Sequence, residues 1–146
     1  MEDALARLRG PDDVARFIAR CVQDDTSVDP ALIVLGIDRE CWIVGGAVNN
    51  DRVSHNLLNP RELVQLRDEI DAEALVLVEI RGGEPTAPEL VEADQFRIFA
   101  DACESAGVML LDCLVVCRHH WWSLRELLPR SDDFGIRGCN GRDWGV

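Results

Sequence analysis

The stretch Ala74-Leu75-Val76-Leu77-Val78-Glu79-Ile80 restricts the fold more than any other part of this chain, because all but one of its residues are apolar. It is short, contains β-branched residues and is broken by Arg81-Gly82-Gly83-Glu84-Pro85, so it reads as a strand. Successive side chains of a strand point to opposite faces, and apolar residues at both parities need cover on both. Such a strand belongs in the middle of a sheet.

The flanking segments supply the layers. Pro11 to Val22 places Val14, Phe17, Ile18, Cys21 and Val22 at helical spacing, with Asp12 and Asp13 in the first turn. Ala31 to Ile37 and Cys41 to Val48, joined by Asp38-Arg39-Glu40, suggest a β-hairpin. Asn59-Pro60-Arg61-Glu62 has a capping residue, a proline at the first helical position and a glutamate three residues on, so a helix begins there and ends near Asp71. Thr86 and Glu89 have the spacing of a second capping box. They would open a long helix with Val91, Gln95, Ile98, Phe99, Ala102, Cys103 and Ala106 on its inner stripe, closed by Gly107. Val108 to Val116 is a second buried strand, and His119 to Glu126 a last strand running into a helical turn. The expected fold is α/β in the α+β sense, a mixed central sheet flanked by helices. At 146 residues, one domain over 1–128 with a polar tail over 129–146 is expected.

Composition narrows the function classes. With 27 acidic against 15 basic side chains the net charge is −12, which repels a phosphate backbone and disfavours nucleic acid, although Arg125, Arg130 and Arg137 could form a local basic patch. No apolar run approaches the roughly 20 residues of a membrane span, and Met1-Glu2-Asp3-Ala4 is unlike a signal peptide. A cytoplasmic location follows as the expectation. The six cysteines, Cys21, Cys41, Cys103, Cys113, Cys117 and Cys139, are expected to be reduced, since most sit in apolar runs.

Several stretches, in order, resemble one family. Gly10-Pro11-Asp12-Asp13-Val14-Ala15, Leu58-Asn59-Pro60-Arg61-Glu62, Glu84-Pro85-Thr86, Ala106-Gly107-Val108-Met109-Leu110-Leu111-Asp112 and Ser123-Leu124-Arg125-Glu126 are similar to segments of the RadC-type JAB/MPN metalloprotease-like domains. The resemblance implies the architecture of that family, which is cytidine-deaminase-like. It also implies a zinc held by two histidines one residue apart and an aspartate roughly eleven residues later, with an upstream glutamate activating water. In this chain Glu79-Ile80-Arg81 stands where the histidines are expected, or Val78 and Ile80 if the alignment shifts by one residue. The aspartate position falls at Glu92 or Val91, and the upstream glutamate falls within Gly45-Gly46-Ala47. We therefore expect no catalytic residue and no cofactor at this place, with Glu79, Arg81, Glu84 and Glu92 forming an altered site.

Other residues invite other chemistry. Arg81 with the Gly82-Gly83 amides could receive an anion. If Val108 to Trp121 is one continuous strand, Cys113, Cys117 and His119 share a face and could offer zinc a replacement site, the basis of an alternative reading as a peptidase or isopeptidase. Alternation would bury one of Trp121 and Trp122 and expose the other as an interface anchor, unless Trp144 of the tail covers it. Asp112 interrupts a core strand and needs a partner, either a backbone amide or Arg125. The leading expectation is a catalytically inactive domain that binds a protein partner, which includes the option of a homodimer.

Overall fold

The structure is a computed structural model that describes residues 7–21, 30–49 and 58–127. In chain order its elements are α1 (Pro11–Cys21), β1 (Ala31–Ile37), β2 (Ile43–Asn49), α2 (Pro60–Ile70), β3 (Ala74–Ile80), α3 (Leu90–Ser105), β4 (Met109–Cys117), β5 (His120–Ser123) and α4 (Leu124–Leu127). The expected tail, with Arg130, Arg137, Cys139 and Trp144, lies outside the described residues, as do residues 22–29.

The apolar run is β3, and all seven of its residues are buried. It holds the centre of a mixed sheet of order β2-β1-β3-β4-β5. β1 pairs with it antiparallel and β4 parallel, while β2 and β5 close the two edges antiparallel. Parallel strands need a crossover, and α3 provides it.

The alternation inside β3 divides the core. Val76, Val78 and Ile80 pack with Leu8, Val14 and Ile18 on the α1 side. Leu75 and Leu77 pack with Leu63, Phe96, Cys103 and Leu124 on the side of α2, α3 and α4. Each layer thus buries one parity of the central strand.

Local chemistry sets the helix ends. Asn59 Oδ1 accepts from the Arg61 amide at 2.9 Å and Glu62 Oε1 from the Asn59 amide at 2.9 Å, so the capping box starts α2 as its sequence predicts. Asp71, at φ 65°, closes the helix in the left-handed region. Gly36 and Gly45 face each other across β1 and β2, and a Cβ at either would lie within 2.9 Å of the Ile70 Cγ2 atom. These glycines form a notch that admits the last side chain of α2.

Three local expectations are corrected. α3 begins at Leu90 with Glu89 as its cap, not at Thr86, so the capping box is shifted by one turn. Its inner face is Ala93, Phe96 and Cys103, with Phe99 half-buried, whereas Val91, Gln95, Ile98, Ala102 and Ala106 are exposed. The helix carries apolar residues on more than one stripe, and the one with Ala93, Phe96 and Cys103 packs on the sheet, leaving Phe99 half-buried beside it. The third correction concerns the last strand, which is not continuous: Arg118, at φ 58°, turns the chain between β4 and β5.

Candidate functional site

The C-terminal ends of β3 and β4 lie side by side, and β3 leads there into Arg81-Gly82-Gly83. The Arg81 amide extends the ladder by donating to the Val116 carbonyl at 2.8 Å. Glu79 and Arg81 are two residues apart and so project to the same face, toward α3. Glu92 reaches them from the first turn of α3, held there because its Oε2 accepts from the Glu89 amide at 3.3 Å. A strand period and a helix cap together bring three residues into one cluster.

Arg81 joins the cluster. Its Nη2 donates to Glu79 Oε1 at 2.7 Å and to Glu92 Oε1 at 2.7 Å. Glu79 is fully buried, and the other two are about one-third exposed, with side-chain exposures of 34% and 29%. Burial pulls the Arg81 pKa down, but the hydrogen bonds and charges of Glu92 and Glu79 outweigh it and the pKa rises. The guanidinium is therefore a permanent cation seated between two carboxylates. Glu84 is exposed, and its carbonyl accepts from Thr86 Oγ1. Of the four expected positions, three converge.

The family chemistry requires electron-pair donors around a metal at roughly 2.0–2.2 Å. A guanidinium has only N–H donors and a positive charge, so it can neither ligate a cation nor tolerate one beside it. The residues present do not fit zinc at this position. An anion entering beside Arg81 would meet the two carboxylates already bound to it, so the receptor suggested by Arg81 and the Gly82-Gly83 amides is occupied by the protein's own side chains.

Cys113 and Cys117 are both buried in β4, and the turn after Cys117 leaves His119 exposed. Cys113 lies against Glu79, and burial first, then the charges of Glu79 and Asp112, push its thiol well above the usual range. Cys117 Sγ donates to the Gly83 carbonyl at 3.5 Å. Among the described residues no group of three or more His, Cys, Asp or Glu is placed to hold a metal ion.

Asp112 is buried in a second polar cluster. Its Oδ2 accepts from Ser123 Oγ at 2.6 Å, and its Oδ1 from the amides of Cys113 at 2.7 Å and Arg125 at 3.3 Å. Arg125 is itself buried and donates to the Leu111 carbonyl at 3.3 Å, which removes it from any surface patch. Burial raises the Asp112 pKa to about 6 against the opposing hydrogen bonds. Ser123 also accepts from the Glu126 amide at 3.1 Å, so one carboxylate ties β4 to the junction of β5 and α4. The sequence offers a backbone amide or Arg125 as the partner of Asp112, and the structure adds Ser123.

Neither tryptophan of the pair stands out as an exposed anchor. Trp121 packs on the α1 side of the sheet and Trp122 on the other, both half-buried, and Trp122 stacks on His120 with ring centroids 6.0 Å apart. Among the described residues the exposed indole is Trp42, 42% accessible, beside the start of β2. Arg7 lies over it at 5.9 Å. Comparison with protein-family models matches residues 8–129 to the RadC-like JAB domain.

Proposed function

From the premise that the chain belongs to the RadC-like JAB domain family, we propose that it is a member without metal-dependent hydrolysis at the family's site, and that it acts by binding protein. One observation carries this reading. Glu79, Arg81 and Glu92, which have the spacing the family resemblance assigns to the metal ligands, converge in space, and the Arg81 guanidinium is bonded at 2.7 Å to both carboxylates.

An internal cation then does structurally what a metal would do. It neutralises the buried Glu79 and pins the first turn of α3 to the end of β3. No lone pair is left to activate water, because arginine offers donors only. The scaffold remains while the reaction centre is closed.

Untagged protein purified without chelator tests the proposal by elemental analysis, together with peptidase and isopeptidase assays in added zinc. The expected result is far less than one metal per chain and no hydrolysis above buffer. Stoichiometric zinc, lost when Cys113, Cys117 or His119 is substituted, would instead establish the alternative hydrolase with unusual ligands.

A further inference from the structure

α3 buries one side and presents another to solvent. Successive residues of a helix are turned by about 100°, so with Ala93, Phe96 and Cys103 packed inward, Leu90, Val91, Asp94, Ile98 and Asp101 fall on an outward ridge. Leu90 is 64% accessible, Val91 53% and Ile98 61%, three of the four most accessible large apolar side chains among the described residues. A single exposed apolar residue needs no explanation, but three gathered on two turns of one helix do.

The same ridge is acidic. Asp94 stands between the pair Leu90 and Val91 and the next apolar residue, Ile98, and Asp101 follows Ile98 by three positions. Apolar and negative groups therefore alternate at helical spacing. Both carboxylates are exposed. Asp101 lies 3.9 Å from Arg97 with side-chain exposures of 68% and 47%, a pair so open to water that it binds the carboxylate weakly. Asp94 forms no ion pair with a described residue. Along its length α3 has four carboxylates against one guanidinium.

Charge and spacing select what can dock here. A second copy of the chain would bring the same ridge, setting Asp94 and Asp101 against their own counterparts, and each copy carries a net charge of −12. A wholly apolar partner would strip water from two carboxylates and leave them without a counter-charge. A helix with an aliphatic stripe bordered by lysine or arginine satisfies both kinds of group. Its aliphatic side chains pack along Leu90, Val91 and Ile98, which span about 12 Å of the axis, while its cations reach Asp94 and Asp101.

We propose that the outward ridge of α3, from Leu90 to Asp101, docks a basic amphipathic helix of a partner protein. This rests on the reading that the chain acts by binding protein, and it names the chemistry of the partner. The ridge shares a helix with Glu92 but none of the residues of the Arg81 cluster.

A labelled synthetic helix of about 18 residues, leucine on one face and lysine beside it, is the probe, titrated by anisotropy into the full chain. The range extends to about 1 mM, because one helix on one ridge buries less than the roughly 1,200 Å² of a stable interface. We expect saturable binding at least tenfold tighter than that of the same helix with glutamate in place of lysine. I98S should weaken it at least threefold and leave the salt dependence unchanged, since it removes apolar contact and no charge. D94N should weaken it about twofold or more and flatten the salt dependence, whereas E69Q, the loss of an exposed charge on α2, should leave it unchanged. Circular dichroism should be the same for all three variants, whose sites face solvent. No saturable binding up to about 1 mM, an I98S variant that binds like wild type, or an E69Q variant weakened as much as D94N would each overturn the proposal, the last by reducing the contact to general charge attraction. A dimer in sedimentation that I98S dissociates would also overturn it, by assigning the ridge to a second copy. Metal content and hydrolysis do not enter these outcomes, so failure here leaves the reading of the Arg81 cluster untouched.

Discussion

Removing the Arg81 guanidinium is the most informative single perturbation. Arg81→Ala deprives a fully buried carboxylate, Glu79, of its counter-charge, and also releases Glu92. Breaking a buried pair by deleting one partner costs about 3–5 kcal/mol, whereas an exposed pair is worth about 0–1 kcal/mol. Here Glu79 is at 0% exposure and Arg81 at 34%, so the first arm lies between these limits, at roughly 2–3 kcal/mol. The Glu92 arm, with 34% and 29% exposure, adds less than about 1 kcal/mol. Urea unfolding followed by tryptophan fluorescence at pH 7 measures the sum. Since the penalty comes from an ionised carboxylate left in the core, it should shrink at about pH 4, where carboxylates take up protons. Joint replacement by E79Q and R81M should recover most of the loss, because two neutral side chains avoid the buried charge. A loss below about 1 kcal/mol at pH 7, or one equal at pH 4 and pH 7, would refute the view that Arg81 neutralises Glu79.

Other expectations concern separate parts of the molecule. Because the Asp112 pKa is raised from 3.8 to about 6, the folded state binds this proton more tightly than the unfolded chain does. Its contribution is therefore fullest below about pH 4, declines as pH rises to about 6 and is constant above, a span of about 3 kcal/mol at 1.36 kcal/mol per unit. D112N should remove that component, seen as a difference in unfolding free energy between variant and wild type that changes across this window and is flat above it. Cys41, Cys103, Cys113 and Cys117 are buried, and burial pushes Cys103 up to about 12, so iodoacetamide at pH 8 should leave these four unlabelled until urea is added, as peptide mass spectrometry would show. G45A drives a methyl to 2.7 Å from Ile70 Cγ2 and should destabilise by about 1–3 kcal/mol, with partial recovery when Ile70 is shortened to alanine; full stability in G45A would contradict the notch.

What the sequence determined by itself are the features governed by contacts within a few residues. The α2 start at Asn59 and Pro60 was legible because a capping box closes on its own backbone. The burial of β3 was legible because unbroken apolar parity leaves a strand only one place in a sheet. The order of elements, the mixed sheet and the family resemblance followed from such local signals.

Only the tertiary structure decided which stripe of α3 faces inward, since Val91 and Ile98 compete with Ala93 and Phe96 on periodicity alone and the sheet surface settles the matter. The break at Arg118 was likewise hidden, because its positive φ is imposed by the return of β5 onto β4 and not by a glycine. Arg81 could be named from its position, with Glu79, Glu84 and Glu92 as candidate partners. That Glu79 and Glu92 bind it while Glu84 stands in solvent depends on a helix cap meeting the end of a strand. The cluster brings residues eleven positions apart within 2.7 Å, and only the packing of α3 against the sheet sets that distance.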